Sequence, residues 1–201
     1  YNTLRYNRHE IERISKMAFE LAKARSGKVT SVDKANVLES SQFWRDQVRM
    51  THSQYPDIVL NDMLADNAAM QLVRDPRQFD VILTQNLFGD ILSDITAMIT
   101  GSLGMLPSAS IGSQHAMYEP VHGTAPEIAG KNIANPIAMI ASLSMMLEFT
   151  FKDTKTSQEL DRSIAQVLND GMRTQDIAQV GDNVLKTHEM AQAIIDVFLS
   201  F

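Results

Sequence analysis

Asp90 and Asp94 stand four residues apart in the stretch NLFGDILSD, which covers residues 86–94. Residues at this spacing lie on one face of a helix, so both carboxylates would project in the same direction. A hard divalent cation would relieve their mutual repulsion, and oxygen ligands of this kind suit Mg²⁺ or Mn²⁺. A solvated first helical turn, where acidic side chains complement the helix dipole, explains the pair equally well. The spacing therefore indicates either a metal site or an ordinary helix start.

Lys34 and Asp66 are two further charged residues at junctions where a predicted strand ends. Lys34 lies in the segment DKANV, residues 33–37, and Asp66 in the segment ADNAAM, residues 65–70. A lysine beside a cation in a closed cleft could serve as a general base or a proton relay. The commoner roles are structural, an ion-pair partner for the lysine and a first-turn helix acid for the aspartate. Both interpretations stay open at this point.

The segment HGTAPEIAG, residues 122–130, combines loop-forming residues with a histidine and an acid. Glycines let a ligand approach the backbone, and exposed amides in such loops bind anions. Glu127 could accept hydrogen bonds from the two hydroxyls of an adenosine ribose and would repel a 2′-phosphate. The fingerprint G-x-G-x-x-G is absent from the sequence, so a nucleotide would be bound in another way. An ordinary surface loop with a hydrogen-bonded histidine is the alternative.

Alternating strands and helices are predicted to position these residues in the first half of the chain. The apolar run DVILT, residues 80–84, is typical of a strand that is buried on both faces. Strands that alternate with helices of ten or more residues predict crossover units and a largely parallel sheet, an α/β fold. The predicted helices cover residues 8–26, 41–52, 65–74 and 87–99, and the predicted strands cover residues 28–33, 58–60 and 80–84.

The second half of the chain differs from the first in composition, and this shift predicts a domain boundary near residue 100. Residues 101–112 and 119–132 are rich in Gly, Ser and Pro, and we expect both segments to lack regular structure. Asn135-Pro136 predicts a helix start, and the helix to Phe149 is apolar almost all round, so we expect it to be buried. A capping box at residues 156–159 predicts a helix to about residue 173, and a last helix covers residues 187–198.

An acidic composition without cysteine narrows the function classes. The 201 residues are 44% hydrophobic and 21% charged, with 18 Lys+Arg, 24 Asp+Glu and a net charge of −6. Positive charge is not clustered, so we expect no nucleic-acid partner, and the apolar runs are too short for a membrane span. Without cysteine there is no disulfide and no thiol nucleophile, and we expect a reducing, cytoplasmic location. Because no Met precedes Tyr1, we expect the chain to start inside a longer protein.

Several of these segments together resemble the metal-dependent β-decarboxylating dehydrogenases, the family of the isopropylmalate and isocitrate dehydrogenases. The resemblance runs over essentially the whole chain, from Arg5-Tyr6 to the C-terminal helix, and is greatest for the isopropylmalate branch. The segments that carry it are residues 33–40 (DKANVLES), 66–73 (DNAAMQLV), 86–94 (NLFGDILSD), 101–112 (GSLGMLPSASIG) and 119–123 (EPVHG).

The resemblance implies a role for each candidate residue. Lys34 matches the catalytic lysine, and Asn36 matches a contact to the substrate and the nicotinamide. Asp66, Asp90 and Asp94 match the acids at the Mg²⁺ or Mn²⁺. The active site would be shared in a homodimer, with Lys34 and Asp66 from one subunit and the other two acids from its partner. The residues that match the adenosine site of NAD are His122, Gly123, Ala125, Glu127, Ile128, Asn135 and Asp176.

The implied reaction is the NAD-dependent oxidation and decarboxylation of a 2-hydroxy dicarboxylic acid, which is 3-isopropylmalate in the branch that serves leucine biosynthesis. The implied fold is the two-domain fold of the isopropylmalate dehydrogenases without its N-terminal part. Residues 1–101 would belong to the dimerisation and metal domain, and residues 102–201 would form the C-terminal part of the cofactor domain. Arginines that hold the substrate carboxylates and a catalytic tyrosine would precede this chain, so we expect the isolated chain to be inactive.

One residue departs from the family pattern, a second is expected to be structural, and three alternative functions remain. Glu127 stands where the family usually has aspartate, and an acid there still implies NAD rather than NADP. Tyr6 is expected to be structural, because nothing in the sequence places it near the acids. The alternatives are a tartrate/D-malate or homoisocitrate dehydrogenase, a non-catalytic regulatory subunit, and an inactive α/β fragment. The regulatory subunit is disfavoured because such a subunit need not keep the lysine and the three acids.

Overall fold

The computed structural model describes residue 1 and residues 3–201, and the chain divides into two compact units, Tyr1–Thr96 and Ala97–Phe201. The predicted α/β class is confirmed. The elements that begin in the first unit are α1 (Arg8–Lys23), β1 (Lys28–Asp33), α2 (Glu39–His52), β2 (Val59–Leu64), α3 (Ala65–Arg74), a 3-10 helix (Pro76–Gln78), β3 (Val81–Thr84) and α4 (Asn86–Thr100). The boundary between the units falls within α4.

The first unit contains a three-stranded parallel sheet with the strand order β2-β1-β3. β1 runs from the pair Lys28↔Val59 to the pair Asp33↔Leu64 along β2. All three strands therefore end at the same edge of the sheet, and α2, α3 and α4 each begin just after one of these ends. This edge is where open α/β sheets bind ligands.

Successive side chains of β1 point to opposite faces of the sheet, and each face has its own apolar core. Val29 joins the cluster built with α1 and α2, which includes Phe19 and Trp44. Val32, on the other face, joins Leu72 of α3 and a buried part of α4. Because both faces are covered, β1 is buried from its second residue onward. The sequence predicts such burial for β3 instead, and this is wrong: β3 lies at the edge of the sheet, and of its four residues only Leu83 is fully buried.

The second unit contains helices packed together and two small pairs of strands. α5 packs against β4, β5 and α6, and α6 packs against α7. One apolar cluster joins the three helices through buried residues such as Ile137, Val167 and Met190. The elements are a 3-10 helix (Leu103–Met105), β4 (Pro107–Ile111), β5 (Ala116–Pro120), a 3-10 helix (Pro126–Ile128), α5 (Ile137–Phe149), α6 (Thr154–Asn169), β6 (Met172–Arg173), β7 (Asn183–Val184) and α7 (Thr187–Phe198).

The prediction of irregular structure is wrong for most of residues 101–112 and for parts of residues 119–132, which hold the end of β5 and the 3-10 helix Pro126–Ile128. β4 pairs with β5 in an antiparallel hairpin whose register runs from Pro107↔Pro120 to Ile111↔Ala116. The prolines occupy the ends of the two strands, where a missing backbone N–H costs no ladder hydrogen bond. The pairing partner lies only a few residues further along the chain, and this pairing overrides the weak strand propensity of the segment.

Two further expectations for the second unit need correction. α6 begins earlier than residue 156, because the side chain of Asp153 accepts a hydrogen bond from the Thr156 backbone at 3.1 Å. It ends at Asn169 rather than near residue 173. α5 is buried on one side only, since Met139 and Leu143 are 57% and 44% exposed. Among the described residues, no helix is long and apolar enough to cross a membrane.

Candidate functional site

Lys34 and Asp66 meet at the carboxyl edge of the sheet in the first unit. β1 and β2 are neighbouring parallel strands, and these residues follow their last paired residues, Asp33 and Leu64. The Nζ atom of Lys34 donates a hydrogen bond to Oδ1 of Asp66 at 2.5 Å. The hydrogen bond from Lys34 lowers the pKa of Asp66 below its usual value, so the carboxylate stays ionised at neutral pH. The structure thus brings together two of the residues that the sequence singled out.

Lys34 is the more protected partner of this ion pair. Its side chain is 26% exposed, whereas that of Asp66 is 61% exposed. Asn36 lies two residues further on, in the turn before α2, and is exposed. The lysine amine is therefore held at a fixed place, while the carboxylate of Asp66 and the amide of Asn36 remain accessible to a ligand.

Asp90 and Asp94 both lie on α4, four residues apart as the sequence predicts, and both are exposed. Neither carboxylate takes part in an ion pair among the described residues. Asp90 lines a cleft of about 860 Å³, whereas Asp66 lines a separate small cavity of about 190 Å³ together with Phe88 and Ile91. Within one chain, no three acidic or histidine residues of the described part form a cluster that could hold a metal ion.

The donor set nevertheless fits a hard divalent cation. Asp90 and Asp94 offer carboxylate oxygens without competing cationic partners among the described side chains, and Asp66 has one oxygen outside its bond to Lys34. Mg²⁺ and Mn²⁺ prefer such oxygens and need several ligands, of which water and substrate supply the rest.

Tyr6 lies in the same cleft as Asp90, a placement that sequence reasoning missed. Its ring packs edge-on against Trp44, with the ring centroids 5.6 Å apart, and its hydroxyl oxygen accepts a hydrogen bond from the Asn86 backbone at 3.1 Å. Tyr6 therefore fixes the first residue of α4, four residues before Asp90. The expected structural role fits these contacts, and no local signal in the sequence links residue 6 to residue 86.

A second candidate site is a largely apolar pocket of about 770 Å³ in the second unit. Its walls come from the 3-10 helix at Leu103–Met105, the loop before α5, and single residues near β6 and α7. It includes six of the seven residues predicted for the adenosine site, which are His122, Gly123, Ala125, Ile128, Asn135 and Asp176. Concave apolar pockets with a few polar groups are the usual form of nucleotide and cofactor sites.

Ala125 marks the loop of this pocket as strained. Its backbone has φ 41° and ψ 61°, a left-handed conformation that residues other than glycine seldom adopt. It precedes the short helix Pro126–Ile128, whose first position is a proline. Strain of this kind persists only where the surrounding structure enforces it, and it is concentrated at ligand sites.

Asp176 and Asn135 are joined by hydrogen bonds at the polar end of the pocket. Asn135 donates to Asp176 Oδ2 at 3.1 Å, and Thr174 donates to Asp176 Oδ1 at 2.6 Å. Burial alone would raise the pKa of Asp176, but hydrogen bonds from Ser102, Thr174 and Asn135 outweigh it and leave this pKa below its usual value. The carboxylate is thus ionised and oriented at neutral pH.

Gly104 makes this arrangement possible. A Cβ atom at position 104 would lie 2.8 Å from Cβ of Asn135 and 3.1 Å from Oδ2 of Asp176, both too close for unstrained contact. No motif in the sequence indicates Gly104 as a site residue. Its signal, a glycine inside a short helical turn, becomes readable only when the position of Asn135 is known.

Glu127 is the one predicted adenosine-site residue that does not line the pocket. It is exposed in the short helix next to Ile128, which does line it. His122 is partly buried, and its Nδ1 lies 2.8 Å from the Gly123 carbonyl oxygen. A ligand would therefore meet Glu127 at the rim of the pocket rather than inside it.

Comparison with known proteins gives consistent matches over nearly the whole chain. A family model described as "Isocitrate/isopropylmalate dehydrogenase" matches residues 1–194. The 3-isopropylmalate dehydrogenase of Chlorobium chlorochromatii is 60% identical over 195 residues, which are 97% of this chain and 55% of that protein. The 3-isopropylmalate dehydrogenase of Chlorobium luteolum is 60% identical over 196 residues, 97% of this chain and 56% of that protein.

Solved structures agree with these relatives. The crystal structure of isocitrate dehydrogenase from Methylococcus capsulatus superposes with a TM-score of 0.91 at 41% sequence identity, covering 98% of this chain and 58% of that chain. The chain thus spans a little over half the length of the curated relatives and of the solved structure that it matches.

Proposed function

The chain belongs to the isocitrate/isopropylmalate dehydrogenase family, and from this premise we propose that it is the C-terminal portion of an NAD-dependent 3-isopropylmalate dehydrogenase. The observation that carries the proposal is the 2.5 Å contact between Lys34 and Asp66 at the carboxyl edge of the sheet. Curated relatives that are 60% identical bear the name 3-isopropylmalate dehydrogenase and support the choice of substrate.

In the proposed reaction, the substrate hydroxyl at C2 loses its proton and C2 loses a hydride, which leaves a 2-oxo acid. The bond between C3 and its carboxyl carbon then breaks, CO₂ leaves, and a proton is added at C3. When bound, NAD accepts the hydride, and the divalent cation polarises the oxygen at C2 and stabilises the negative charge that develops there. The remaining steps are proton transfers and positioning, which are tasks for side chains.

Lys34 is assigned the proton transfer at the C2 oxygen. Its side chain is 26% exposed, and the hydrogen bond from its Nζ to Asp66 holds the amine at the carboxyl edge of the sheet. Proton transfer by a positioned side chain accelerates reactions by about 10²- to 10⁴-fold. Asn36, exposed in the turn that follows, is assigned a contact to the substrate and the nicotinamide.

Asp66, Asp90 and Asp94 are assigned to the cation, which we take to be Mg²⁺ or Mn²⁺. Asp66 would act with the lysine of its own chain, and Asp90 and Asp94 would come from the partner in a homodimer. Exposed apolar side chains on the two helices that carry these acids support association with a second copy. They are Met70 and Val73 on α3, at 61% and 76% exposure, and Leu87 and Ile91 on α4, at 52% and 49%.

The pocket of the second unit is assigned to the adenosine half of NAD. Its apolar walls suit an adenine ring, and the ionised, oriented Asp176 offers a hydrogen-bond acceptor beside the amide of Asn135. Glu127 at the rim would accept hydrogen bonds from the ribose hydroxyls and repel the 2′-phosphate of NADP. In this proposal, residues 1–101 belong to the dimerisation and metal domain and residues 102–201 to the cofactor domain.

The test is an assay of the complete protein that contains this chain, with NADH formation measured in the presence of Mn²⁺. We expect turnover of 3-isopropylmalate in preference to isocitrate, homoisocitrate, tartrate and D-malate. Lys34→Met should lower kcat by about 10³-fold, because it removes the proton-transferring group. Lys155→Met, at a lysine whose side chain is 85% exposed, is the control and should leave kcat unchanged. Turnover of none of these acids, or an active Lys34→Met protein, would refute the proposal.

The isolated chain provides a second test. We expect purified residues 1–201 to form no NADH with 3-isopropylmalate, because the groups that hold the substrate carboxylates would lie in the preceding part of the protein. Detectable turnover by residues 1–201 would contradict this expectation.

We also propose a cytoplasmic location, since a chain without cysteine has no need of an oxidising compartment.

A further inference from the structure

Asp33 is a fully buried charge directly before Lys34. It is the last residue of β1, and its side chain has 0% exposure. It shares one face of β1 with Val29 and Ser31, because side chains two and four residues apart along a strand point the same way. This face is covered by α2, whose Trp44 donates from Nε1 to the Ser31 hydroxyl oxygen at 3.3 Å.

Arg45 of α2 satisfies this charge with two parallel hydrogen bonds. Its Nε donates to Oδ2 of Asp33 at 2.9 Å, and its Nη2 donates to Oδ1 at 2.7 Å. The backbone N–H of Ala35 donates to the same Oδ1 at 2.9 Å. The Asp33 carboxylate therefore fixes both neighbours of Lys34. It holds Asp33 through the bonds from Arg45 and holds Ala35 through the backbone N–H.

The turn after Lys34 is also held from α2. Gln42 donates a hydrogen bond from its side chain to the Ala35 carbonyl oxygen at 3.0 Å. The Lys34 carbonyl oxygen accepts from the backbone N–H groups of Val37 and Leu38, each at 2.9 Å. The backbone of residues 33–38 thus has a dense set of hydrogen bonds, and Arg45 anchors it to the helix.

Asp33 is removed from water completely and Arg45, at 24% exposure, in large part. Such an ion pair is a costly way to gain stability, because of the lost hydration of the charges. Such a pair is better suited to fixing geometry, and a bidentate arginine does so in both distance and angle. On the basis of the proposed function, we infer that Arg45 is a positioning residue that acts through Asp33 to hold the Lys34 amine in place for proton transfer. It touches neither the substrate nor the cofactor in this account.

Arg49 provides a matched comparison on the same helix. It binds Asp62 of β2 through Nε at 3.1 Å and Nη2 at 2.6 Å, and its side chain is 58% exposed. Arg45 also approaches Asp62, but only to 4.0 Å. Arg49 therefore belongs to the same group of charges without contacting Asp33, and its removal should leave the turn of residues 34–37 intact.

The experiment compares Arg45→Met and Arg49→Met in the complete protein by steady-state kinetics and by amide hydrogen exchange. Arg45→Met should lower kcat by about ten- to a hundredfold with KM for NAD nearly unchanged, since small misplacements of reacting groups cost this much. It should also speed the exchange of the amides of residues 35, 37 and 38. Arg49→Met should do neither. Arg45→Lys, which retains the charge but not the fork of donors, should recover part of kcat.

The two readouts separate the inference from the proposed function. If the wild-type protein is active and Arg45→Met retains its kcat, or if the exchange of these amides is unchanged, Arg45 does not position Lys34. If kcat falls equally in both variants, the effect is a general one on the charge network, and the inference fails. If the wild-type protein turns over none of the acids, the proposed function fails, and the exchange data alone decide whether Arg45 fixes the turn.

Discussion

Individual hydrogen bonds determine which candidate side chains have a fixed position and a defined charge. Lys34 and Asp66 are directly paired, and Asp176 is held by three neighbours, so these groups have a defined place and charge. Asp90, Asp94 and Glu127 are exposed, and their places are set only by the helices that carry them. The sequence singles out these residues as candidates but does not predict their hydrogen bonds, because partners such as Thr174 and Ser102 are common residue types without a distinctive pattern.

The Asp176 carboxylate gives a pH-dependent prediction. Its pKa in the folded protein lies below the ordinary 3.8, so it contributes stability that is present above pH 4 and is lost as the pH falls through the lowered pKa. Asp176→Asn should therefore destabilise the protein at neutral pH and less so at pH 3. Thermal melts of both proteins between pH 3 and pH 7 measure this. A difference in Tm between the wild-type protein and Asp176→Asn that is equal at every pH would contradict the negative charge assigned to Asp176.

At the scale of secondary structure, elements that local patterns specify were predicted, whereas an element that depends on long-range pairing was missed. β1 (Lys28–Asp33), α3 (Ala65–Arg74) and α7 (Thr187–Phe198) have their predicted bounds, because apolar periodicity specifies them locally. β4 was missed because its ladder depends on pairing with β5 rather than on its own composition. The contact of Arg45 with Asp33 was missed for a similar reason, since it requires the packing of α2 on the sheet to be known.

The short helix Leu103–Met105 gives a prediction about packing. Gly104→Ala places a methyl group 2.8 Å from Cβ of Asn135, so the side chains at this end of the pocket must move. We expect a loss of about 1–3 kcal/mol in the free energy of unfolding, as for overpacked sites, and weaker NAD binding. Denaturant unfolding and calorimetric titration with NAD measure the two effects.

Gly123→Ala is the control for stability, because a Cβ atom at position 123 meets no atom within 4 Å. Its free energy of unfolding should stay within about 0.5 kcal/mol of the wild-type value. If Gly104→Ala unfolds at the same denaturant concentration as Gly123→Ala, the close packing of residues 104 and 135 has no energetic importance.

At the scale of the whole molecule, the proposed metal site requires two copies of the chain. Within one chain, Asp66 and Asp90 line separate cavities, and the acids form no cluster of three in the described part. The sequence carried the resemblance that implies a shared site, but no pattern within one chain can show which residues of a second copy approach it. The exposed apolar residues of α3 and α4 point to the surface that would be covered.

That surface gives a prediction about assembly. Met70 is 61% exposed on α3, and Met70→Glu should convert the complete protein from a dimer to a monomer by placing a charge in an apolar contact. Met50→Glu is the matched control, at a methionine that is 60% exposed on α2, and it should leave the dimer intact. Sedimentation velocity measures both. A dimeric Met70→Glu protein would exclude this face of α3 from the interface.

The most direct test of the shared site is a mixed dimer of two inactive chains. Lys34→Met and Asp90→Asn variants of the complete protein, carrying different affinity tags, are expressed together and the heterodimer is purified. If each site takes Lys34 from one chain and Asp90 from the other, one site of the heterodimer has both residues, and kcat per dimer should recover to about half of the wild-type value. If each chain holds its own complete site, both sites are damaged, and a heterodimer as inactive as either parent would contradict the account.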